Sequence, residues 1–133
     1  MRDDRQRASS GSPFEATIGF SRAVRIDNRI LVSGTAPVED DGASTTGDAE
    51  AQAERCLAVI VRAIEQLGGS AEDVVRTRLY LVDPGDADGV GRAHGRWFGD
   101  VRPASTMVVV AGLLRPEWRV EIEAEAEVDA AAQ

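Results

Sequence analysis

Residues 102–128 read RPASTMVVVAGLLRPEWRVEIEAEAEV, and the last nine of them, VEIEAEAEV, alternate apolar and acidic residues with the period of a β-strand. Successive strand side chains point to opposite faces. Val120, Ile122, Ala124, Ala126 and Val128 therefore share one face, and Glu121, Glu123, Glu125 and Glu127 share the other. The apolar face has to be covered by helices. Residues 104–110 read as a second strand, joined to the first by a loop. Further upstream, RTRLY at 76–80 has the same period and groups Arg76, Arg78 and Tyr80, so cationic partners for the glutamate column are available on another strand. A column of one sign is ordinarily a solvated face. A face that carries both signs can be sealed by a partner more easily.

Working outward, AVRIDNRILVS at 23–33 suggests a hairpin of two short strands around Asp27-Asn28. The stretch 34–48 is dense in Gly, Pro, Asp and Thr and reads as loop. Over 48–67, Ala53, Leu57, Ile60, Val61, Ile64 and Leu67 recur at steps of three and four, predicting a helix that acidic residues begin and Gly68-Gly69 end. Ser70 and Asp73 form a capped turn before a strand over 74–82. Val90, His94, Trp97 and Phe98 keep helical spacing over 86–98. Gly89, Gly91 and Gly95 each cost such a helix up to about 1 kcal/mol, so packing has to hold it. The order strand, strand, helix, strand, helix, strand, strand points to an α+β sandwich, with two helices on one face of a mixed sheet. The other face is left to water or to another subunit.

The chain has 133 residues, enough for one domain with one core, and 23 Asp+Glu against 15 Lys+Arg. An acidic surface repels a polyanion, which argues against a nucleic-acid partner. No window approaches a membrane span, and the first residues lack the apolar segment of a signal peptide, so no membrane partner and a cytoplasmic location are expected. Residues 1–14, polar and rich in Ser and Gly, are expected to be a disordered tail, with a single domain over 15–133. The single cysteine, Cys56, excludes an intrachain disulfide and fits a buried inert thiol inside the first helix. The single histidine, His94, fits a packed helix residue better than a base. No cluster has metal-ligand spacing, GDADGVG lacks the lysine of a phosphate loop, and neither Ser33 nor Ser105 has a histidine at readable distance.

Four segments, SRAVRIDNRILVSGTAPV at 21–38, AQAERCLAVIVRAIEQLGGSAEDVVRTRLYLVD at 51–83, WFGDVRPAST at 97–106 and VEIEAEA at 120–126, resemble in order and spacing the Rid (reactive intermediate deaminase, or YjgF) family, often labelled endoribonuclease L-PSP. The resemblance covers residues 18–128. It implies a chorismate-mutase-like α+β fold with a mixed six-stranded sheet and two helices on one face. It further implies a homotrimer whose sheets face inward, with a small-molecule ligand cleft at each subunit interface. Better-known members hydrolyse enamines and imines to 2-keto acids and ammonia without metal or cofactor, so no cofactor is expected.

Family members hold the substrate carboxylate with an arginine in a PAR[ST] motif. In this chain the motif is Pro103-Ala104-Ser105-Thr106, and the arginine position is Ser105. A guanidinium binds a carboxylate through two charge-assisted bonds, whereas a serine offers one neutral donor. The exchange weakens the hold on a small anion by roughly 2–3 kcal/mol, on the order of a hundredfold. By the resemblance, Glu121 places the attacking water, and Gly34, Ser105, Thr106, Phe20 and Met107 bind substrate. Phe20 stands where the family has a tyrosine and Gly91 where it has a cleft asparagine, so the pocket becomes more apolar. Arg22, Arg78 and Arg102 are the candidates for a displaced cation. Three functions stay open: a cofactor-free hydrolase of an imine, enamine or related small molecule other than 2-aminoacrylate; a non-catalytic trimer that binds a small metabolite or a protein; and, less favoured by charge and by the lack of a histidine pair, an endoribonuclease.

Overall fold

A computed structural model describes residues 5–129 and places the glutamate strand inside a six-stranded sheet. In chain order the elements are β1 (Gln6–Ala8), β2 (Ala23–Ile26), β3 (Arg29–Thr35), α1 (Ala49–Gln66), β4 (Val74–Leu81), α2 (Ala87–Phe98), β5 (Ala104–Val109) and β6 (Val120–Glu127). The sheet order is β1-β2-β3-β6-β4-β5. β6 pairs antiparallel with both β3 and β4, while β4 and β5 run parallel, so the sheet is mixed. A parallel pair needs a crossover, and α2 supplies it.

The apolar face of β6 forms the centre of the core. Val120, Ile122, Ala124 and Ala126 are buried against Leu57, Ile60 and Ile64 of α1, with Ile30, Leu79, Val90 and Phe98 in the same cluster. α1 starts at Asp48, whose side chain accepts from the Ala51 amide at 2.9 Å. It ends at Gly68, which takes the left-handed φ of 89°. The glycine-rich α2 is held to α1 by charge as well as packing: Arg92 and Arg96 both bond Glu50, Arg96 also bonds Glu54, and Trp97 donates to Glu54. Gly89 has a packing reason, since a Cβ there would lie 3.2 Å from the Glu50 Cβ.

The expected disordered tail over 1–14 is corrected over the part the structure describes. Residues 1–4 lie outside the described residues, but Gln6–Ala8 pair with Ala23–Arg25 as β1, and Ala8 is buried. Glu15, also buried, accepts hydrogen bonds from the Ser9 and Ser10 hydroxyls and the Ser10 amide. Those serines, which make the segment look disordered by composition, are what fasten it. Gln52, buried on α1, donates to the carbonyls of Thr45 and Glu117 and accepts from the Arg119 amide at 2.8 Å, which fixes the entry into β6.

Candidate functional site

Glu121 is the first glutamate of the column and stands opposite Tyr80 of β4. Across the strand on its other side, β3 is bulged between Val32 and Thr35, and Gly34 sits in that irregularity. A Cβ at Gly34 would lie 2.8 Å from Glu121 Oε1, so the carboxyl rests directly on the glycine backbone. Any other residue there would push it away. Glu121 makes no hydrogen bond or ion pair with the described residues. Burial raises its pKa above the ordinary carboxylate value of 4.5; Arg22 opposes that shift and Glu123 adds to it.

Arg22 lies just before β2 and is buried, with 6% of its surface exposed. Its Nη2 donates to the Gly34 carbonyl, and its guanidinium stands 5.3 Å from the centre of the Phe20 ring. Its Nε is buried without a partner. Desolvation lowers the Arg22 pKa, and the negative charges of Glu15 and Glu121 offset part of that cost. Burial also works against ionisation of Glu15, but the bonds from Ser10 and Ser9 outweigh it and hold that carboxyl below the ordinary range. Glu15 therefore stays an anion near the Arg22 cation.

Glu121 and Arg22, though not Glu15, line a cavity of about 370 Å³ between the 9–14 segment, the loop after β3, α1 and the loop before β6. Phe20, Arg22, Gly34 and Glu121 share it, with Leu114 and Trp118 on its apolar side. Arg115 packs over both Phe14 and Trp118, at 5.7 and 5.1 Å, and so braces that wall. Of the sequence-derived site residues, three come together in this cavity: Glu121, Gly34 and Phe20. Ser105, Thr106 and Met107 do not line it. They lie on β5, two strands from β6 and therefore about 10 Å away across the sheet. Gly91 on α2 faces open space.

Ser105 has its own surroundings, which spacing alone does not reveal. The parallel register sets it beside Thr77, whose hydroxyl donates to Ser105 Oγ at 2.8 Å and bonds His94 Nε2 at 2.8 Å. Burial lowers the His94 pKa, so the ring is neutral near pH 7. With Nε2–H donating to Thr77 and Thr77 donating to Ser105, the serine proton is free to point outward. His94 is thus a packed residue, edge-on to Phe98 at 5.0 Å, that also orients the hydroxyl at the family's arginine position. Of the three candidate cations, Arg22 alone reaches the cavity; Arg78 is engaged with Glu123 and Glu125. Cys56 is fully buried, and burial followed by the nearby Glu121 charge pushes its thiol pKa far up, so it is not a nucleophile. Among the described residues no group of three or more His, Cys, Asp or Glu is arranged to hold a metal, and no helix is long and apolar enough to cross a membrane.

A mixed six-stranded sheet with two helices on its apolar face, and an unpaired carboxyl resting on a glycine at the opposite face, define the class: a small α+β domain whose sheet carries a cavity. The chain belongs to the endoribonuclease L-PSP family, whose model matches residues 11–128. It is 40% identical over 121 residues to an uncharacterized protein of Streptomyces coelicolor, covering 91% of this chain and 90% of that one. A RutC family protein of Pyrococcus abyssi is 32% identical over 79% of this chain and 83% of its own. Among solved structures, a Mycobacterium tuberculosis member of the YjgF/YER057c/UK114 family superposes with a TM-score of 0.86 at 42% identity, covering 93% of this chain and 99% of that one. The YjgF gene product of Escherichia coli superposes with a TM-score of 0.80 at 29% identity, covering 92% and 97%. The family and the fold expected from the four segments are both found.

Proposed function

We propose that the protein is a cofactor-free hydrolase of an imine, enamine or related small molecule, with Glu121 as the group that places and deprotonates water. The observation that carries this reading is the Glu121 carboxyl: partly buried, without a hydrogen-bond or ion-pair partner among the described residues, raised in pKa and aimed into a cavity. A carboxyl so raised exchanges its proton closer to neutrality, which suits general acid–base work. Water adds to the imine carbon while Glu121 takes its proton. Glu121 passes that proton to nitrogen, giving a carbinolamine, and then relays the hydroxyl proton to nitrogen as the C–N bond breaks, so that the oxygen of water leaves in the carbonyl compound and both its protons leave in ammonia.

Assembly completes this reading. β5 is an edge strand, exposed along its whole length, and it displays Met107 at 38%, Val108 at 42% and Val109 at 52% of their surface. An exposed apolar edge calls for a cover. A homotrimer, as the family resemblance implies, covers it with a second copy and brings Ser105, Thr106 and Met107 of one subunit toward Glu121 and Gly34 of another. Light scattering tests the assembly; a monomer in solution removes the three β5 residues from the site.

The endoribonuclease reading has less support: His94 lies outside the cavity and the net charge is −8. The deciding experiment measures ammonia and keto-acid release from imines generated in situ, with Glu121→Ala as control. Turnover that depends on Glu121 is expected. Absence of such turnover on every imine tried leaves the non-catalytic binding module as the better account.

A further inference from the structure

We propose that Arg22 is the residue that recognises the ligand's anionic group, so that the cavity takes a small molecule whose carboxylate sits on Arg22 and whose other end lies beside Glu121. This rests on the reading that the cavity is the ligand site, but not on any chemistry occurring there. Arg22 is a buried cation, 6% exposed, and among the described residues no carboxylate forms an ion pair with it. Glu15, which acts on it through space, is saturated by its own serines, and Glu121 is the other acidic group that Arg22 feels. Taking a guanidinium out of water without a paired anion is costly, and a bound anion would offset that cost.

Its donors make the same point. Of the five N–H groups of a guanidinium, one on Nη2 reaches the Gly34 carbonyl, and Nε has no partner. Nη1 also makes no hydrogen bond to the described residues. Nε is sealed from the cavity, so the N–H groups left over on Nη1 and Nη2 are what Arg22 offers to the cavity it lines, and a carboxylate can accept two parallel bonds from that end of the guanidinium. Phe20 backs the guanidinium at 5.3 Å and keeps its plane fixed. Because Arg22 bonds the carbonyl of Gly34, and Gly34 carries the Glu121 carboxyl on its backbone, anion and water-placing group are held by one residue. The anchor lost at Ser105 is thereby replaced from the other side of the site, and small carboxylates return to the substrate class.

Calorimetric titration of the full chain with 2-oxobutyrate, and in parallel with its uncharged amide, tests the proposal. Wild type is expected to bind the carboxylate at least tenfold more tightly than the amide. Arg22→Gln is expected to lose at least tenfold in carboxylate affinity while holding amide affinity within about twofold, and Arg22→Lys to recover part of the loss. Glu121→Gln is expected to keep or improve carboxylate binding while losing turnover. Equal binding of carboxylate and amide by wild type, no carboxylate binding, or an Arg22→Gln loss equal for both ligands overturns the proposal. If Arg22→Gln does not fold, undiminished carboxylate affinity in Arg22→Lys, with its different donor geometry, overturns it as well. Arg22-dependent carboxylate binding without turnover on any imine defeats the hydrolase and leaves the anchor standing. Turnover whose KM for an anionic imine is unmoved by Arg22→Gln does the reverse.

Discussion

Glu121 and Glu123 stand two residues apart on one face of one strand, yet their surroundings differ completely. Glu123 accepts from Arg78 at 3.3 Å and from the Tyr80 hydroxyl, and Glu125 beyond it meets Arg29, Arg76 and Arg78. Glu121 meets a glycine and a cavity. The neighbouring strands make the difference, because β4 offers arginines opposite Glu123 and Glu125 but a tyrosine opposite Glu121. Tyr80 gives its proton to Glu123 instead. The lesson is that a carboxylate with satisfied lone pairs is spent on structure, whereas one kept bare in a partly dry site is available for chemistry.

The strongest way to break this contrast is to neutralise each glutamate in turn. Glu121→Gln is expected to lower imine turnover at least about a hundredfold, the scale of a lost acid–base group, with a thermal midpoint unchanged or higher, since no partner is stranded. Glu123→Gln is expected to leave turnover within about threefold. Paired ammonia-release assays and melting curves decide, and the opposite ranking would erase the distinction. Gly34→Ala should come next. The new Cβ meets the tip of a flexible side chain, so the carboxyl swings away at a stability cost of about 1 kcal/mol while turnover falls about tenfold or more. Combined with Glu121→Gln it should add nothing further, because both changes remove one device.

A pH series sharpens the same comparison. Burial raises Glu121 above 4.5 in the native protein, so between that value and its native pKa the folded state binds more protons than the unfolded chain. Stability from this group is therefore greatest below 4.5 and declines as pH rises through that window. Turnover that needs the carboxylate as base has its acidic limb above 4.5 for the same reason. Glu121→Gln should flatten this contribution to the stability slope. Urea titrations at stepped pH, run on both proteins, provide the check.

How much of this was legible in the sequence depends on range. Periodicity located β4, β6 and both helices, the turn pair Asp27-Asn28 between apolar residues located β2 and β3, and the apolar run ending at Val110 located β5. β1 escaped because three residues, QRA, hold no period, and its neighbours Ser9 and Ser10 gain meaning only once Glu15 folds back on them. The pairing of Glu123 and Glu125 with Arg76 and Arg78 was readable because both strands share one period and the sheet makes them adjacent. Arg22 stood among three candidate cations, but which of the three reaches the cavity was not readable, since a buried arginine and a surface arginine look alike in a string of letters. Ser105, Thr77 and His94 meet only through the parallel register of β4 and β5 under α2. The same register explains why β5 stays apart from the cavity: it is the far edge of the sheet.

The smallest expected effect concerns the satisfied end of the column. The Tyr80 phenol donates to Glu123, and ionising it would lose that bond and set two negative charges together, so its pKa stands above the usual value of 10. Burial and the carboxylate charge act in the same direction, and Arg78 against them. Tyr80 is the single tyrosine of the chain, which lets phenolate absorbance be followed without a competing residue. Glu123→Gln keeps an acceptor but removes the charge, so the phenol should titrate lower, toward its ordinary value. The stability cost should stay at or below about 1 kcal/mol and shrink in high salt, since Arg78 and Glu123 remain 39% and 33% exposed in their side chains. An unmoved phenol titration would mean that Tyr80 owes its shift to burial rather than to Glu123. The carboxylate of Glu123 would then be held by Arg78 alone, and its contrast with Glu121 would rest on that one half-exposed ion pair.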